Sequence, residues 1–93
     1  MIRSFGSKDT ERLWGRDRVP SIDPRIHSTA LRKLRQVGSA QVLDDLRLPP
    51  GNRLEALKGD RAGQHSIRIN DQWRICFVWT DAGPEEVEIV DYH

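Results

Sequence analysis

The alternation of apolar and polar residues between His65 and Trp79 is the feature that most constrains the fold. Its odd-numbered positions are the apolar ones, namely Ile67, Ile69, Trp73, Ile75, Phe77 and Trp79. Its even-numbered positions are mostly polar, namely Ser66, Arg68, Asn70, Gln72, Arg74, Cys76 and Val78. A period of two is typical of β-strands that bury one face. The segment therefore predicts two antiparallel strands joined by a turn.

The turn between these strands must contain an odd number of residues if the apolar side chains are to share one face. A three-residue turn, Asn70-Asp71-Gln72, places Ile69 opposite Trp73. The same register places Arg68 opposite Arg74. A two-residue turn would instead set Arg68 beside Trp73 and divide the apolar face. We therefore expect the two arginines to pair on the solvent face of a hairpin.

The first part of the chain carries helix signals. Residues 1–5 are a candidate opening strand, and Ser7 is a candidate N-cap for a short helix that runs to Arg16. Asp23 and Pro24 favour the start of a longer helix, which Gly38 is expected to close. Its apolar stripe repeats at three- and four-residue steps through Ile26 or His27, Ala30, Leu31, Leu34 and Val37. The opposite side carries Arg25, Arg32, Lys33 and Arg35.

The remaining segments complete an α+β layout. They predict a helical turn at 42–46, a breaker at 48–52, a short strand at 54–58, a loop at 59–63, a turn at 81–84 and a last strand at 86–92. Helices followed by three or four antiparallel strands indicate N-terminal helices packed on one face of a small, mainly antiparallel sheet. The length of 93 residues suits a single domain, residues 1–93.

Composition narrows the class of protein. No apolar run approaches the roughly 18 to 20 residues that cross a bilayer, and residues 1–5 lack the apolar stretch of a signal peptide. The lone Cys76 cannot form an internal disulfide or a cysteine-rich zinc site. We therefore expect a cytoplasmic protein that needs no metal and no cofactor.

Positive charge is concentrated in residues 1–35, which hold nine Lys and Arg residues against four Asp and Glu residues. A basic surface suits a polyanionic partner such as RNA, because cations near phosphates release condensed counterions. Arg32 and Lys33 are then candidate RNA-binding residues. A solvated helix surface without a ligand explains the same bias equally well.

Arg68 and Arg74 are the first candidates for chemistry. Two guanidinium groups that face each other repel unless an acid or an anionic ligand lies between them. Phosphate suits a planar arginine fork, and Lys58, at the end of the neighbouring strand, could reach the same face. The alternative is that a nearby acid, Glu55, Asp71 or Glu88, neutralises the pair.

The C-terminal residues Asp91, Tyr92 and His93 hold a carboxylate, a phenol and an imidazole. Metal-free RNA cleavage by the 2′-hydroxyl needs a base, cations for the phosphorane charge and an acid for the leaving 5′-oxygen. These residues and the arginines could supply such groups. Neighbouring residues of a strand point to opposite faces, so the three cannot all converge if the strand stays regular.

Four blocks of the sequence together resemble the HigB-like toxins of the RelE/ParE superfamily. They are Leu57-Lys58-Gly59-Asp60-Arg61, Ser66-Ile67-Arg68-Ile69-Asn70, Gln72-Trp73-Arg74-Ile75 and Val90-Asp91-Tyr92-His93. The resemblance implies a microbial RNase-like fold and ribosome-dependent cleavage of mRNA in the A site of the 30S subunit. It also implies a HigA-like helix-turn-helix antitoxin, through which alone the toxin would meet operator DNA.

The same resemblance implies roles for individual residues. Arg68 and Arg74 would hold phosphate and transition-state charge with help from Lys58. Asp91 and His93 would transfer protons, and Tyr92 would stack on or orient the nucleotide. Where some relatives have a catalytic histidine, three residues before the lysine, this chain has Glu55.

Two further histidines are expected to be structural. The parity of His65 places it on the apolar face, so we expect a packed, hydrogen-bonded side chain there. His27 on the long helix receives the same interpretation.

Two other functions remain open from the sequence. ParE-like members of the superfamily poison DNA gyrase on the same fold. A non-catalytic module that binds ribosomal RNA through its basic helices is the third possibility.

Overall fold

Within residues 1–91, which the computed structural model describes, two α-helices pack on a four-stranded antiparallel sheet. The helices are α1 (Lys8–Trp14) and α2 (His27–Ser39). The strands are β1 (Glu55–Ala56), β2 (His65–Arg68), β3 (Trp73–Thr80) and β4 (Gly83–Asp91), in that spatial order. The predicted α+β layout is confirmed. None of these helices is long and apolar enough to cross a lipid bilayer.

The hairpin of β2 and β3 has the predicted register. Ile67 lies opposite Ile75, and Arg68 lies opposite Arg74. The Asn70 side chain builds the turn, because its Oδ1 accepts hydrogen bonds from the backbone N–H groups of Gln72 and Trp73, both at 2.8 Å. The odd-length turn therefore keeps the apolar residues of both strands on one face.

Ser7 caps α1 as predicted, whereas Asp23 caps a short 3₁₀ turn that precedes α2. The Ser7 hydroxyl accepts a hydrogen bond from the Thr10 N–H at 3.1 Å. The Asp23 carboxylate accepts one from the Arg25 N–H at 2.9 Å and starts a 3₁₀ turn, Pro24–Ile26, that leads into α2. The prediction that Gly38 ends α2 is wrong, because the helix runs to Ser39. Gly38 is instead a packing position, where a Cβ would lie 3.4 Å from the Ile2 side chain.

Connections between α2 and β2 are mostly 3₁₀ turns. They comprise Leu43–Arg47, where a helical turn was predicted, then Pro50–Asn52 and Gly59–Arg61. The predicted strand at 54–58 is shorter than expected, because only Glu55 and Ala56 pair with β2.

The edge beside β4 differs from the sequence prediction. Residues 1–5 form a single parallel bridge, Phe5 to Val87, rather than a regular strand. β4 begins at Gly83, three residues earlier than predicted, and contains a bulge in which Glu86 and Val87 lie opposite Phe77. Glu86 has a φ of 52°, a left-handed geometry that is found in one type of bulge, where glycine is the usual residue.

The core lies between the helices and the odd-numbered face of the hairpin. Its fully buried members include Leu34 and Val37 of α2 and Ile67, Ile75 and Phe77 of the sheet. Thr10 of α1 is buried with them and its hydroxyl accepts a hydrogen bond from the Ile89 N–H at 2.9 Å. This bond ties α1 to β4.

Candidate active site

A basic cleft of about 350 Å³ lies at the turn end of β2 and β3. Arg53, Arg68, Asn70, Asp71 and Arg74 line it, so three arginines border a common space. Two larger clefts border Met1, but each is lined by no more than one charged side chain. Because phosphate recognition needs clustered cations, the basic cleft is the candidate active site.

Arg74 is held from several sides although it borders the cleft. Its side chain is only 12% exposed. Its Nε donates to the Ser66 hydroxyl at 2.8 Å, and its Nη2 donates to the Arg53 carbonyl at 2.9 Å. The same Nη2 lies 3.4 Å from Glu55 Oε1. These contacts fix the guanidinium plane before any ligand arrives, which is the preorganisation that charge stabilisation requires.

The acids near the arginines are paired with them. Glu55 contacts Arg74, and Asp71 accepts a hydrogen bond from Arg68. The alternative that nearby acids neutralise the two arginines is therefore confirmed for Glu55 and Asp71, whereas Glu88 contacts Arg61 at 3.4 Å. These acids offset the repulsion between the two arginines, so the pairing of Arg68 with Arg74 does not by itself require a bound phosphate.

These ion pairs leave room for an anionic ligand. The Asp71 side chain is fully exposed and that of Glu55 is half exposed. Exposed ion pairs contribute little to stability because water screens both charges. A phosphate can therefore replace the Asp71 carboxylate on Arg68 at small cost.

The even-numbered face of the hairpin is less open than the sequence predicts. Arg68 and Arg74 share this face, but Ser66 and Cys76 beside them are fully buried, and burial raises the pKa of the Cys76 thiol. The segment that ends in Arg53 covers part of the face, because the Arg53 carbonyl lies on Arg74. The expectation of a solvent face is wrong, and the arginines lie in a partly covered cleft.

Lys33 does not lie on the solvated side of α2, and this prediction is also wrong. It is 6% exposed and donates a hydrogen bond to the side chain of Asn52, which is fully buried. Burial lowers the pKa of the Lys33 ammonium, and the charges of Arg32 and Arg68 lower it further. A buried, hydrogen-bonded ammonium is poorly placed to contact RNA, whereas Arg32 is exposed as expected.

Asp91 lies one residue beyond the position that would share a face with Arg74. Val90 pairs with Arg74 and Asp91 pairs with Trp73, so strand alternation directs Asp91 to the opposite face. Gln72 Nε2 donates to Asp91 Oδ2 at 3.0 Å. The register therefore does not place this carboxylate on the face of the sheet that carries Arg68 and Arg74. The other two predicted residues, Tyr92 and His93, lie outside the described residues.

The remaining candidates have separate positions. Lys58 is exposed, but β1 ends two residues before it, so pairing does not place it on the arginine face. His65 packs on Phe77 with ring centroids 6.4 Å apart, as predicted, but its buried Nδ1 has no hydrogen-bond partner. His27 has the expected structural contact, a 2.7 Å hydrogen bond between Nε2 and the Ile22 carbonyl.

Arg53 and Ser66 belong to the cleft region although the sequence did not single them out. Arg53 follows a Pro-Pro-Gly-Asn segment without periodicity and has a φ of 47°, a left-handed conformation that is uncommon outside glycine. Ser66 was identified only as a polar strand position. In the described part of the chain, His, Cys, Asp and Glu residues form no group of three or more that could hold a metal ion.

Solved structures share this fold across nearly the whole chain. YafQ from Escherichia coli strain BL21(DE3) has a TM-score of 0.60 at 19% sequence identity, with 98% of this chain and 91% of that chain covered. The YoeB/ParE toxin from Agrobacterium tumefaciens has a TM-score of 0.53 at 22% identity, with 99% and 96% covered. The fold is therefore that of RelE-like toxins.

Sequence comparison then gives the family. The model of the HigB-like toxins, described as RelE-like toxins of type II toxin–antitoxin systems, matches residues 3–93. Toxin HigB-1 of Vibrio cholerae serotype O1 is 40% identical over 82 residues, which are 87% of this chain and 86% of that protein. An uncharacterised protein of Haemophilus influenzae is 33% identical over 61 residues, 66% of this chain and 60% of that protein. The chain belongs to the HigB-like toxin family, and such a toxin has an antitoxin as its partner.

Proposed function

We propose that this toxin is a metal-independent endoribonuclease that cuts translated mRNA in the A site of the ribosome by attack of the RNA 2′-hydroxyl. The observation that carries the proposal is the cleft in which three arginines border a common space. RNA offers the phosphates that such a cleft can bind, and the 2′-hydroxyl supplies a nucleophile within the substrate. Cleavage of this kind needs charge stabilisation and proton transfer but no metal.

Arg74 is the proposed stabiliser of the pentacovalent phosphorane. Its Nε and Nη2 hydrogen bonds to Ser66 and Arg53 fix the guanidinium, so little reorganisation is needed when negative charge develops. Arg68 and Arg53 border the same cleft and would hold the scissile phosphate or its neighbour. Arg32 and Lys58, both exposed, would contact flanking phosphates without touching the reacting atoms.

Glu55 is the proposed base for the 2′-hydroxyl. Its Oε1 lies 3.4 Å from Arg74 Nη2, and the side chain is 51% exposed, so it is accessible beside the proposed phosphorane site. The carboxylate would remove the hydroxyl proton while the oxygen attacks phosphorus and the bond to the 5′-oxygen breaks. The acid for that leaving oxygen is proposed to be His93, with Tyr92 stacking on the nucleobase.

The proposal extends to the setting of this reaction. Residues 1–93 would act as one domain in the cytoplasm, where translated mRNA is found. The antitoxin would be a HigA-like helix-turn-helix protein, and operator DNA would be contacted through that partner.

Primer extension on RNA from cells that express the toxin without its antitoxin tests the function. We expect growth arrest and discrete cuts at fixed positions within codons of translated messages, because the A site aligns the mRNA with the cleft. Full-length message should also be lost when transcription is blocked with rifampicin in all cultures, because the loss comes from cleavage and not from reduced synthesis. DNA breaks dependent on gyrase, with intact messages, would contradict the proposal and favour gyrase poisoning. Arrest with intact RNA and DNA would favour a non-catalytic ribosome-binding module.

A further inference from the structure

Asn52 is a fully buried asparagine at the end of the 3₁₀ turn Pro50–Asn52. Its Oδ1 accepts a hydrogen bond from the Lys33 ammonium. Its Nδ2 lies 3.2 Å from each of three acceptors, namely Gln36 Oε1, the Leu46 carbonyl and the Leu48 carbonyl. Lys33 and Gln36 are neighbours on one side of α2, since they are three residues apart. The Asn52 side chain therefore fastens the loop to the helix and to the preceding 3₁₀ turn.

The residue after Asn52 connects this anchor to the cleft. Arg53 has left-handed backbone angles, φ 47° and ψ 54°, and its N–H donates to the Pro50 carbonyl at 3.1 Å. Its own carbonyl accepts the 2.9 Å hydrogen bond from Arg74 Nη2. A left-handed conformation is unfavourable for a residue with a Cβ and persists only when its surroundings hold it. The direction of the Arg53 carbonyl therefore depends on the anchored loop.

Lys33 is the second buried polar residue of this anchor. Its 6% exposed ammonium is held by Asn52, and the nearby charge of Arg68 acts on it. A lysine that is desolvated in this way is a costly choice for closing a loop, and apolar side chains would bury the same volume more cheaply. The desolvation of Lys33 is consistent with a loop that must keep one conformation, because a buried hydrogen-bonded network favours a single arrangement.

We propose that Asn52 is a positioning residue, which fixes the Arg53 backbone and through it the guanidinium of Arg74. The effect on cleavage rests on the proposed ribonuclease function. The effect on the orientation of Arg74 does not, so the two can fail separately.

The orientation of Arg74 is measured first, by NMR of arginine side-chain N–H groups in the isolated toxin. The Arg74 Nε–H resonance, assigned from Arg74→Lys, should shift or broaden in Asn52→Ala. A matched variant is Val19→Ala, which opens a cavity at a buried site in the segment between α1 and α2. It should leave the resonance in place. An unchanged Arg74 signal in folded Asn52→Ala would overturn the proposal.

Cleavage is measured next, as the single-turnover rate on programmed ribosomes with saturating toxin. Asn52→Ala should reduce this rate by about tenfold to a hundredfold, the loss that a small misplacement of a reacting group produces. Ribosome affinity should change little, and Val19→Ala should keep the wild-type rate at a temperature where both variants are folded. Equal rates in wild type and Asn52→Ala would contradict the proposal.

A double-mutant cycle separates positioning from general damage. If Asn52 acts through Arg74, then Asn52→Ala should cause little further loss of rate in the Arg74→Lys background. Losses that multiply would show that Asn52 acts independently of Arg74 and would overturn the proposal. A wild-type protein that cuts no RNA would refute the proposed function alone, since the NMR comparison would still decide the positioning.

Discussion

Replacement of Arg74 by alanine is expected to lower the rate of ribosome-dependent RNA cleavage by about a hundredfold to a thousandfold, the usual cost of losing one preorganised charge-stabilising group. The side chain is 12% exposed and its guanidinium is fixed by Ser66 and the Arg53 carbonyl. Water that enters the vacated site must reorient as the phosphorane forms, so it replaces the fixed charge poorly. The measurement is the single-turnover rate on programmed ribosomes.

Two further variants separate position from net charge. Arg74→Lys keeps the positive charge but cannot donate to Ser66 and Arg53 together, so it should restore only part of the rate. Arg47→Ala removes a cation from an exposed ion pair with Asp44 and should leave the rate unchanged. A folded Arg74→Ala protein that cleaves as fast as wild type would remove Arg74 from the mechanism.

Replacement of Phe77 by alanine is expected to reduce the free energy of unfolding by about 3 to 5 kcal/mol, the usual cost of truncating a buried phenylalanine. Phe77 is 0% exposed, packs on His65, and lies opposite the bulge residues Glu86 and Val87. A protein of this size has a total stability of about 5 to 15 kcal/mol. The variant should therefore unfold much earlier in a urea titration followed by circular dichroism.

Phe77→Leu is the control for this prediction, because leucine retains more of the apolar volume and should destabilise the fold less than alanine does. Co-purification with the antitoxin should recover part of the lost stability, since a ligand that binds only the folded state favours it. An unfolding midpoint of Phe77→Ala equal to that of wild type would show that the described core is packed differently.

The sheet could be predicted from the sequence because its signal is periodic and local. Ile67, Ile75 and Phe77 share one face in a period of two, and only an odd-length turn keeps them together. The β4 bulge has no such signal. It lies where residues 3–6 pair with β4, a contact between segments far apart in the sequence that no local pattern predicts.

The errors in the candidate site come from surfaces that are covered by other segments. Helical periodicity assigns Lys33 to the polar side of α2, but the loop that carries Asn52 closes over that position. The same loop brings Arg53 to the cleft, and its irregular backbone follows no repeating pattern. Asp91 is an error of another kind. It was grouped with the arginines as part of the C-terminal set with Tyr92 and His93, whereas strand alternation directs it to the other face.

The family and the arginine pairing are indicated by different features of the sequence. The blocks around Lys58, Arg68 and Arg74 indicated the toxin family, which the family match over residues 3–93 confirms. Alternation and turn length indicated that Arg68 and Arg74 are paired, which the register confirms. Glu55 could be named from the sequence only as one of three acids able to neutralise the arginines, because its contact with Arg74 depends on the pairing of β1 with β2.

The most direct test of the central claim is cleavage of an mRNA that carries a single 2′-O-methyl group at the nucleotide whose hydroxyl should attack. Programmed ribosomes are treated with the toxin, and the products are resolved by length and by their end groups. We predict that the unmodified message yields a 2′,3′-cyclic phosphate at the cut and that the methylated message is not cut at that nucleotide. Equal cleavage of both messages at that position would contradict attack by the 2′-hydroxyl and the mechanism built on Arg74.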